Sequence, residues 1–296
     1  MEKCPICGHN EFEKVYDLDD YKITQETFSL QKCTHCTLIY TVDPPLGDNI
    51  GRYYESDDYL EHSNRKNDLF SRMYGWGRDL MFGYKYGILK KLGSEKKILD
   101  IGAGSGYFLN FMRGKGYSVT GIEMSERARN HAKEVHNLDI HPDEMFHNKA
   151  FKEKFDIISL WHVMEHLYDL NQVVKRFDEL LNPNGHLVIA LPNYNALEVE
   201  IYKKYWNGWD VPRHLWHFSP QSLKHLMNNH GFEIERMKMM PLDPLFNTLL
   251  TNKYRQGNAV MNVLRMCTVG VMSLISGLFN VEKASSIIYV IKRKKN

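Results

Sequence analysis

The chain has 296 residues, 43% of them hydrophobic, enough to bury a sizeable core and too many for a disordered protein, so one full domain with one or two smaller units is expected. Its 38 basic and 36 acidic residues leave a formal charge of +2, which excludes a global electrostatic pull toward nucleic acid or an anionic membrane and leaves only local patches. The opening MEKCPIC has no charged segment leading into an apolar run, so a cytoplasmic setting without a secretory signal is expected.

Four of the five cysteines come in two pairs, Cys4 and Cys7 in CPICG and Cys33 and Cys36 in CTHC. Two residues between the thiols of each pair let adjacent turns present four thiolates to one tetrahedral ion at about 2.3 Å, which points to structural zinc. Disulfides are disfavoured in a reducing compartment, and a redox pair would open a helix in a βαβ unit rather than begin the chain. Residues 1–43 therefore read as a zinc ribbon, with short strands in FEKVY and TLIYTV. Residues 44–93 follow as a tyrosine-rich helical cover, whose Tyr53, Tyr54 and Tyr59 are candidates for lining a pocket.

Residues 94–296 alternate strands with helices: KKILDI, a helix from Gly106, SVTGIE, a helix capped by Ser125, LDIH, FDIISLW, the helix LNQVVKRFDELL and HLVIALP. Such alternation predicts an α/β fold, a doubly wound and mostly parallel sheet covered on both faces. NPNG before the last of these strands is a turn signal. An aromatic-rich insert, 193–219, breaks the pattern. Beyond it come the helix SPQSLKHLMNNHG, the strand FEIERMKMM, an apolar helical segment at 259–281 containing Cys267 as an expected core residue, and SSIIYVIKRKKN as an edge strand with a basic tail.

The chemistry is carried first by ILDIGAGSGYF. An apolar strand ends in Asp100 and runs into Gly102, Ala103, Gly104 and Gly106, where residues without a Cβ permit positive φ and close approach of a ligand. About 20 residues on, a second strand ends in Glu123, placed to accept hydrogen bonds from both ribose hydroxyls of a nucleoside. An NAD site shares that spacing, but the loop lacks G-x-G-x-x-G. Asp100, Gly102, Gly104, Gly106 and Glu123 resemble the first two motifs of class I S-adenosylmethionine-dependent methyltransferases. The resemblance implies a Rossmann-like fold over roughly 98–240 plus the final strand, with S-adenosylmethionine as cofactor. It further implies that Met124 packs on the adenine and that Glu144, or Asp143, meets the adenine amino group.

After FDIISLW, HVMEHL is similar to the post-strand motif of quinone-biosynthetic O-methyltransferases and related sugar methyltransferases. His162, Glu165 and His166 are the positions carried over, lining the methionine end of the cofactor; a divalent ion held by Glu165 and His166 is a further implication. The same letters match an inverted zinc-protease motif, which the strand context argues against. The plain alternative is that Glu165 caps a helix and His166 packs on the sheet. RHLWHFSP resembles the family's histidine-containing segment, which makes His214 the candidate general base. Asp210 and Arg213 are placed to orient that base or hold a substrate anion, and Trp206, Trp209 and Trp216 form either an aromatic wall or core.

The ribbon, HVMEHL and PRHLWHFSP together resemble polysaccharide and deoxysugar methyltransferases, so O-methylation of a sugar or glycan is the expected activity. Sugar C-methyltransferases of that kind continue into a long C-terminal domain; no counterpart is expected here, so the resemblance is read as O- rather than C-methylation. Alternatives are a quinone or phenol O-methyltransferase, a ribosomal-RNA methyltransferase using the ribbon, and a non-catalytic scaffold. The acidic opening of the ribbon disfavours RNA. Residues 259–281 are too interrupted for a clean spanning helix and are expected to pack on the domain, with peripheral membrane contact aided by the basic tail as the second reading. Oligomeric state is not legible.

Overall fold

The computed structural model describes residues 2–54, 69–92, 96–254 and 258–295. At the N-terminus, β1 (Phe12–Asp19), β2 (Thr27–Cys33) and β3 (Ile39–Thr41) form an antiparallel meander. The turn of the first cysteine pair closes through Gly8 N–H to Cys4 O at 2.8 Å, with Gly8 at φ 72°. A fourth strand, β9 (Trp216–His217), joins β3 from within the insert. The sheet begun by the ribbon is thus completed by the insert.

The cover contributes α1 (Leu69–Leu89), which buries Ile88 and Leu89 and donates Tyr84 Oη–H to Met239 O at 2.9 Å. Tyr59 lies outside the described residues. The main sheet then builds from β4 (Lys97–Ile101), α2 (Tyr107–Gly114), β5 (Ser118–Ile122), α3 (Glu126–His136), β6 (Ile140–His141), α4 (Glu144–His147), β7 (Phe155–Trp161), α5 (Leu170–Leu180) and β8 (Leu181–Pro192). Ser125 and Asp169 cap α3 and α5 by accepting the Ala128 and Gln172 amides. Strands β4 to β8 are parallel, and Leu99, Ile158, Leu187 and Ile189 are fully buried, as a sheet covered on both faces requires. The NPNG turn survives as a bulge in β8: Phe155 pairs with Leu181 but Ile157 with His186.

Seven strands lie in the order β10-β11-β8-β7-β4-β5-β6, where β10 is Phe232–Met239 and β11 is Ser286–Arg293. The final strand is not an edge strand: β11 runs antiparallel between β8 and β10. Its continuous apolar run, Ile287 to Ile291, suits an interior position, whereas β10 buries fewer of its residues and takes the edge. Because Ser286 pairs with Pro192 and Lys292 with His186, the basic tail lies at the amino ends of the parallel strands.

The insert folds as α6 (Leu197–Tyr202) and two tight turns, followed by β9 and α7 (Pro220–Asn229), which opens with a Ser219–Ser222 capping box. Past β10, α8 (Asp243–Tyr254) packs with α9 (Ala259–Arg265), a π turn (Met266–Gly270) and α10 (Val271–Phe279). Cys267 is exposed rather than in the core. Segment 259–281 also departs from a buried helix: Gly270, Ser273 and Gly277 are buried, while its larger apolar side chains are mostly exposed. Val260–Phe279 is, by length and composition, sufficient to cross a bilayer.

Candidate active site

Strand order reverses at β4, with β5 and β6 to one side and β7 and β8 to the other. The crevice beyond its carboxyl end is where a doubly wound sheet binds its ligand. The loop there is tied back to β5, Gly102 and Ala103 donating to Ile122 O at 2.8 and 3.0 Å. Gly102 has φ 72°, and a Cβ on it would stand 2.3 Å from Val163 Cγ2. Gly104, φ 54°, faces open space. Gly106, φ 76°, opens α2, and a Cβ on it would stand 3.0 Å from Ala132 Cβ, 3.2 Å from Leu138 Cδ1 and 3.3 Å from Ile140 Cδ1.

Glu123 accepts Gly104 N–H at 2.8 Å and Ser125 N–H at 2.9 Å, one on each carboxylate oxygen. Its remaining lone pairs stay available to ribose hydroxyls. Asp100 is buried and accepts Ser159 Oγ–H at 2.5 Å; burial pushes its carboxyl up to about 7, against the opposing pull of Ser159 and Lys85. Met124 and Glu144 are both exposed, the latter in the first turn of α4 beyond β6. Sequence reasoning missed Lys85. From α1 its ammonium stands 4.0 Å from the centre of the Trp161 ring, and burial lowers it to about 8 while Asp100 and Asp243 hold it up. Nothing local in GYKYG marks it.

Beyond β7 the chain turns sharply, with His162 at φ 58°. His162 Nε2 meets Asp243 at 3.0 Å and Nδ1 stands 3.5 Å from Glu165. Burial works against its charge, but Asp243 and Glu165 prevail and raise it to about 10, so it is an imidazolium at neutral pH. Asp243, at the start of α8, was also missed, since no motif connects it to the cofactor loop. Glu165 is 1% exposed and neither of its oxygens has a hydrogen-bond partner among the described residues. Burial would raise it, yet His162, His166 and His214 together hold it below its ordinary value. Glu165 therefore caps no helix.

The insert is stitched directly onto this turn. Leu215 N–H donates to Glu165 O at 2.9 Å, and Trp216 Nε1–H to Leu167 O at 2.7 Å. His166 Nδ1 donates to Arg213 O and His214 Nδ1 to Gly208 O, both at 2.9 Å, since a carbonyl can only accept. Each ring is thereby oriented with Nε2 left as its lone-pair nitrogen. The two imidazoles are 4.7 Å apart, and His214 is brought down to about 4 by burial and by His166. Ligand atoms of Glu165, His166 and His214 lie within 4.8 Å of one another. An ionised carboxylate with no hydrogen-bond partner among the described residues and only His162 at 3.5 Å, set beside two histidines anchored through Nδ1, is a donor set that fits a divalent cation.

Arg213 is not available for a substrate anion. Its guanidinium donates to Asp20 at 2.7 Å, to Asp210 at 2.7 and 2.9 Å and to Tyr53 O at 2.8 Å, and Lys22 completes the cluster on Asp210 at 2.8 Å. Trp206, Trp209 and Trp216 are 2%, 3% and 7% exposed, so they pack the insert rather than form an open wall. Tyr53 is likewise buried, whereas Tyr54 Oη lies 3.3 Å from His166 Nδ1. In the ribbon, Cys4 and Cys36 Sγ are 3.4 Å apart, Cys7 and Cys33 Sγ 3.5 Å, and all four are free thiols whose sulfurs lie within 4.8 Å of one another. That cluster fits one tetrahedral ion.

Comparison with known proteins agrees with this geometry. Residues 77–236 match the profile of the methyltransferase domain family. A ubiquinone biosynthesis O-methyltransferase of Histophilus somni is 36% identical over 110 residues, 34% of this chain and 46% of that protein. One of Azorhizobium caulinodans is 28% identical over 187 residues, 58% of this chain and 73% of that protein. The first match thus spans less than half of that relative's length. Among solved structures, a SAM-dependent methyltransferase of Archaeoglobus fulgidus superposes with a TM-score of 0.53 at 17% identity, covering 81% of this chain and 100% of that one. The magnesium protoporphyrin IX methyltransferase of Synechocystis PCC 6803, with bound SAH, gives 0.52 at 14% identity, covering 84% and 100%. With the glycine loop, Glu123 and the seven-stranded order in one place, the chain belongs to the methyltransferase domain family and is a class I S-adenosylmethionine-dependent methyltransferase in fold and in cofactor loop.

Proposed function

We propose that this chain transfers the methyl group of S-adenosylmethionine to a hydroxyl oxygen of a small ring acceptor, as the names of its quinone-type relatives suggest. The observation that carries this reading is the buried Glu165–His166–His214 cluster at the carboxyl end of β7, beside the cofactor loop. The sulfonium donor is already activated, so the protein must position the two reactants and dispose of the hydroxyl proton. A divalent cation at the cluster would lower the pKa of the acceptor hydroxyl. Glu165, His166 and His214 are the residues that would hold it, and Asp243 with His162 fixes Glu165 from behind. His214, neutral at physiological pH, offers its Nε2 lone pair either to that ion or to the acceptor proton. Lys85, between Asp100 and Trp161, is suited to hold the cofactor's methionine carboxylate.

A sugar or glycan acceptor draws no support from the tryptophans, which are packed into the insert, nor from the compared proteins. Zinc bound by Cys4, Cys7, Cys33 and Cys36 would have a structural role, bracing the sheet that β9 completes. The test is release of S-adenosylhomocysteine, with and without added magnesium, from a catechol-type acceptor, a nucleotide sugar and RNA. Methylation of the catechol is expected. Release with only the sugar or the RNA overturns the acceptor class, and failure to bind S-adenosylmethionine overturns the activity.

A further inference from the structure

The pair α9–α10 is built inside out. Its protein-facing side buries Gly270, Ser273 and Gly277, with Val269 and Leu274 packed part-buried against the core. Its outer side carries Met261, Leu264, Met272, Ile275, Leu278 and Phe279, from 44% to 91% exposed. These positions recur at helical spacing and form one stripe. A soluble helix buries such a stripe, and a contiguous exposed one marks an interaction surface.

The inner side is held in place. A Cβ on Gly277 would lie 3.0 Å from Ala284 Cα, and one on Gly270 3.0 Å from Leu245 Cδ2. Ser273 Oγ–H donates to the fully buried Glu198 carboxylate, which also accepts from Ser285 and from Trp206 Nε1–H. Rolling the apolar stripe inward would strip that carboxylate of a donor and force large side chains where only glycine fits. Lifting the helix out to span a bilayer would expose the same contacts. The stripe therefore faces outward as a fixed feature, and its occupant must come to it.

Charge selects the occupant. From 244 to 281 the sequence holds no Asp or Glu and carries Lys253, Arg255 and Arg265. An exposed apolar stripe on a segment whose own charged residues are all basic is complementary to an anionic lipid surface. The basic tail does not contribute, since it lies at the far end of the sheet, where Lys292 pairs with Glu235 and Arg293 with Asp178. The face adjoins the active site through α8, whose Asp243 meets His162.

We propose that α9–α10 docks in the plane of an anionic bilayer interface, a property that does not depend on the acceptor proposed above. The experiment is flotation of the full chain with phosphatidylcholine vesicles and with vesicles containing phosphatidylglycerol, at low and high salt. Binding to the anionic vesicles at low salt is expected, reduced about tenfold or more by Leu264→Glu with Leu278→Glu. Both side chains are exposed, so S-adenosylmethionine affinity by calorimetry should stay unchanged and serves as the folding control. A chain that stays with the soluble fraction at low salt overturns the proposal. So does a dimer in sedimentation that the same substitutions dissociate without any flotation, since the occupant would then be a second copy. Resistance of the vesicle-bound chain to alkaline carbonate would mean a spanning helix and would equally overturn it.

Discussion

Glu123 shows how one side chain serves loop and ligand together. It ties Gly104 and Ser125 in the free protein, and its spare lone pairs face the place a ribose would take. Glu123→Ala should lose two charge-assisted hydrogen bonds at roughly 1.5 to 3 kcal/mol each, weakening S-adenosylmethionine about a hundredfold or more in calorimetry. Unchanged affinity would leave the carboxylate with only its loop. Asp100 yields a pH prediction. Its folded-state carboxyl is raised to about 7, so the stability it contributes is full below the unfolded carboxylate range and is lost as pH rises through 7. The Asp100 contribution should therefore fall between about pH 4 and pH 7, against the opposite trend from His214, whose lowered value adds stability as pH rises over that range, and Asp100→Asn should remove the Asp100 part of the slope in scanning calorimetry. At His214, substitution by Ala should lower turnover by about 10² to 10⁴ while leaving cofactor affinity intact. If His214 holds a cation, that variant will also need more magnesium for half-maximal rate; a fully active variant would remove it from the site.

At the scale of elements, the ribbon and the insert act as one piece. Strand β3 pairs with β9, Thr41 Oγ–H donates to His214 O at 2.7 Å, and Arg213 reaches Asp20 in the ribbon. Cys33→Ser should release the metal and loosen the ribbon. Cofactor affinity should change little, because the loop after β4 is held by Ile122 O and the Glu123 carboxylate, but turnover should fall as the insert loses its neighbour. Metal content, calorimetry and turnover measured together decide this; retained turnover in a metal-free chain would mean that the insert holds His214 unaided. Arg213→Ala should cost about 3 to 5 kcal/mol, since it takes the guanidinium from the buried Asp20 and leaves Asp210 with Lys22 in place of its ion pair to Arg213, and thermal unfolding would register it.

Over the whole molecule, the parts legible in the sequence are those whose signals are local. Strand–helix alternation, the glycines of the cofactor loop, the acid ending β5 and the paired cysteines each depend on residues a few positions apart, where steric rules and metal geometry act directly on the chain. Tertiary structure decided the rest. It placed β11 inside the sheet, where its unbroken apolar run is covered on both sides, and left β10 at the edge. It also set Glu165 and His166 against His214, nearly fifty positions further along, through backbone hydrogen bonds that no periodicity foretells. Asp243 and Lys85 entered the site from helices with no motif of their own. Even the direction in which α9 and α10 present their apolar stripe was undetermined by composition, because hydrophobicity states that a surface seeks cover, while only the packing of Gly270, Ser273 and Gly277 against the domain settles which side is left without it.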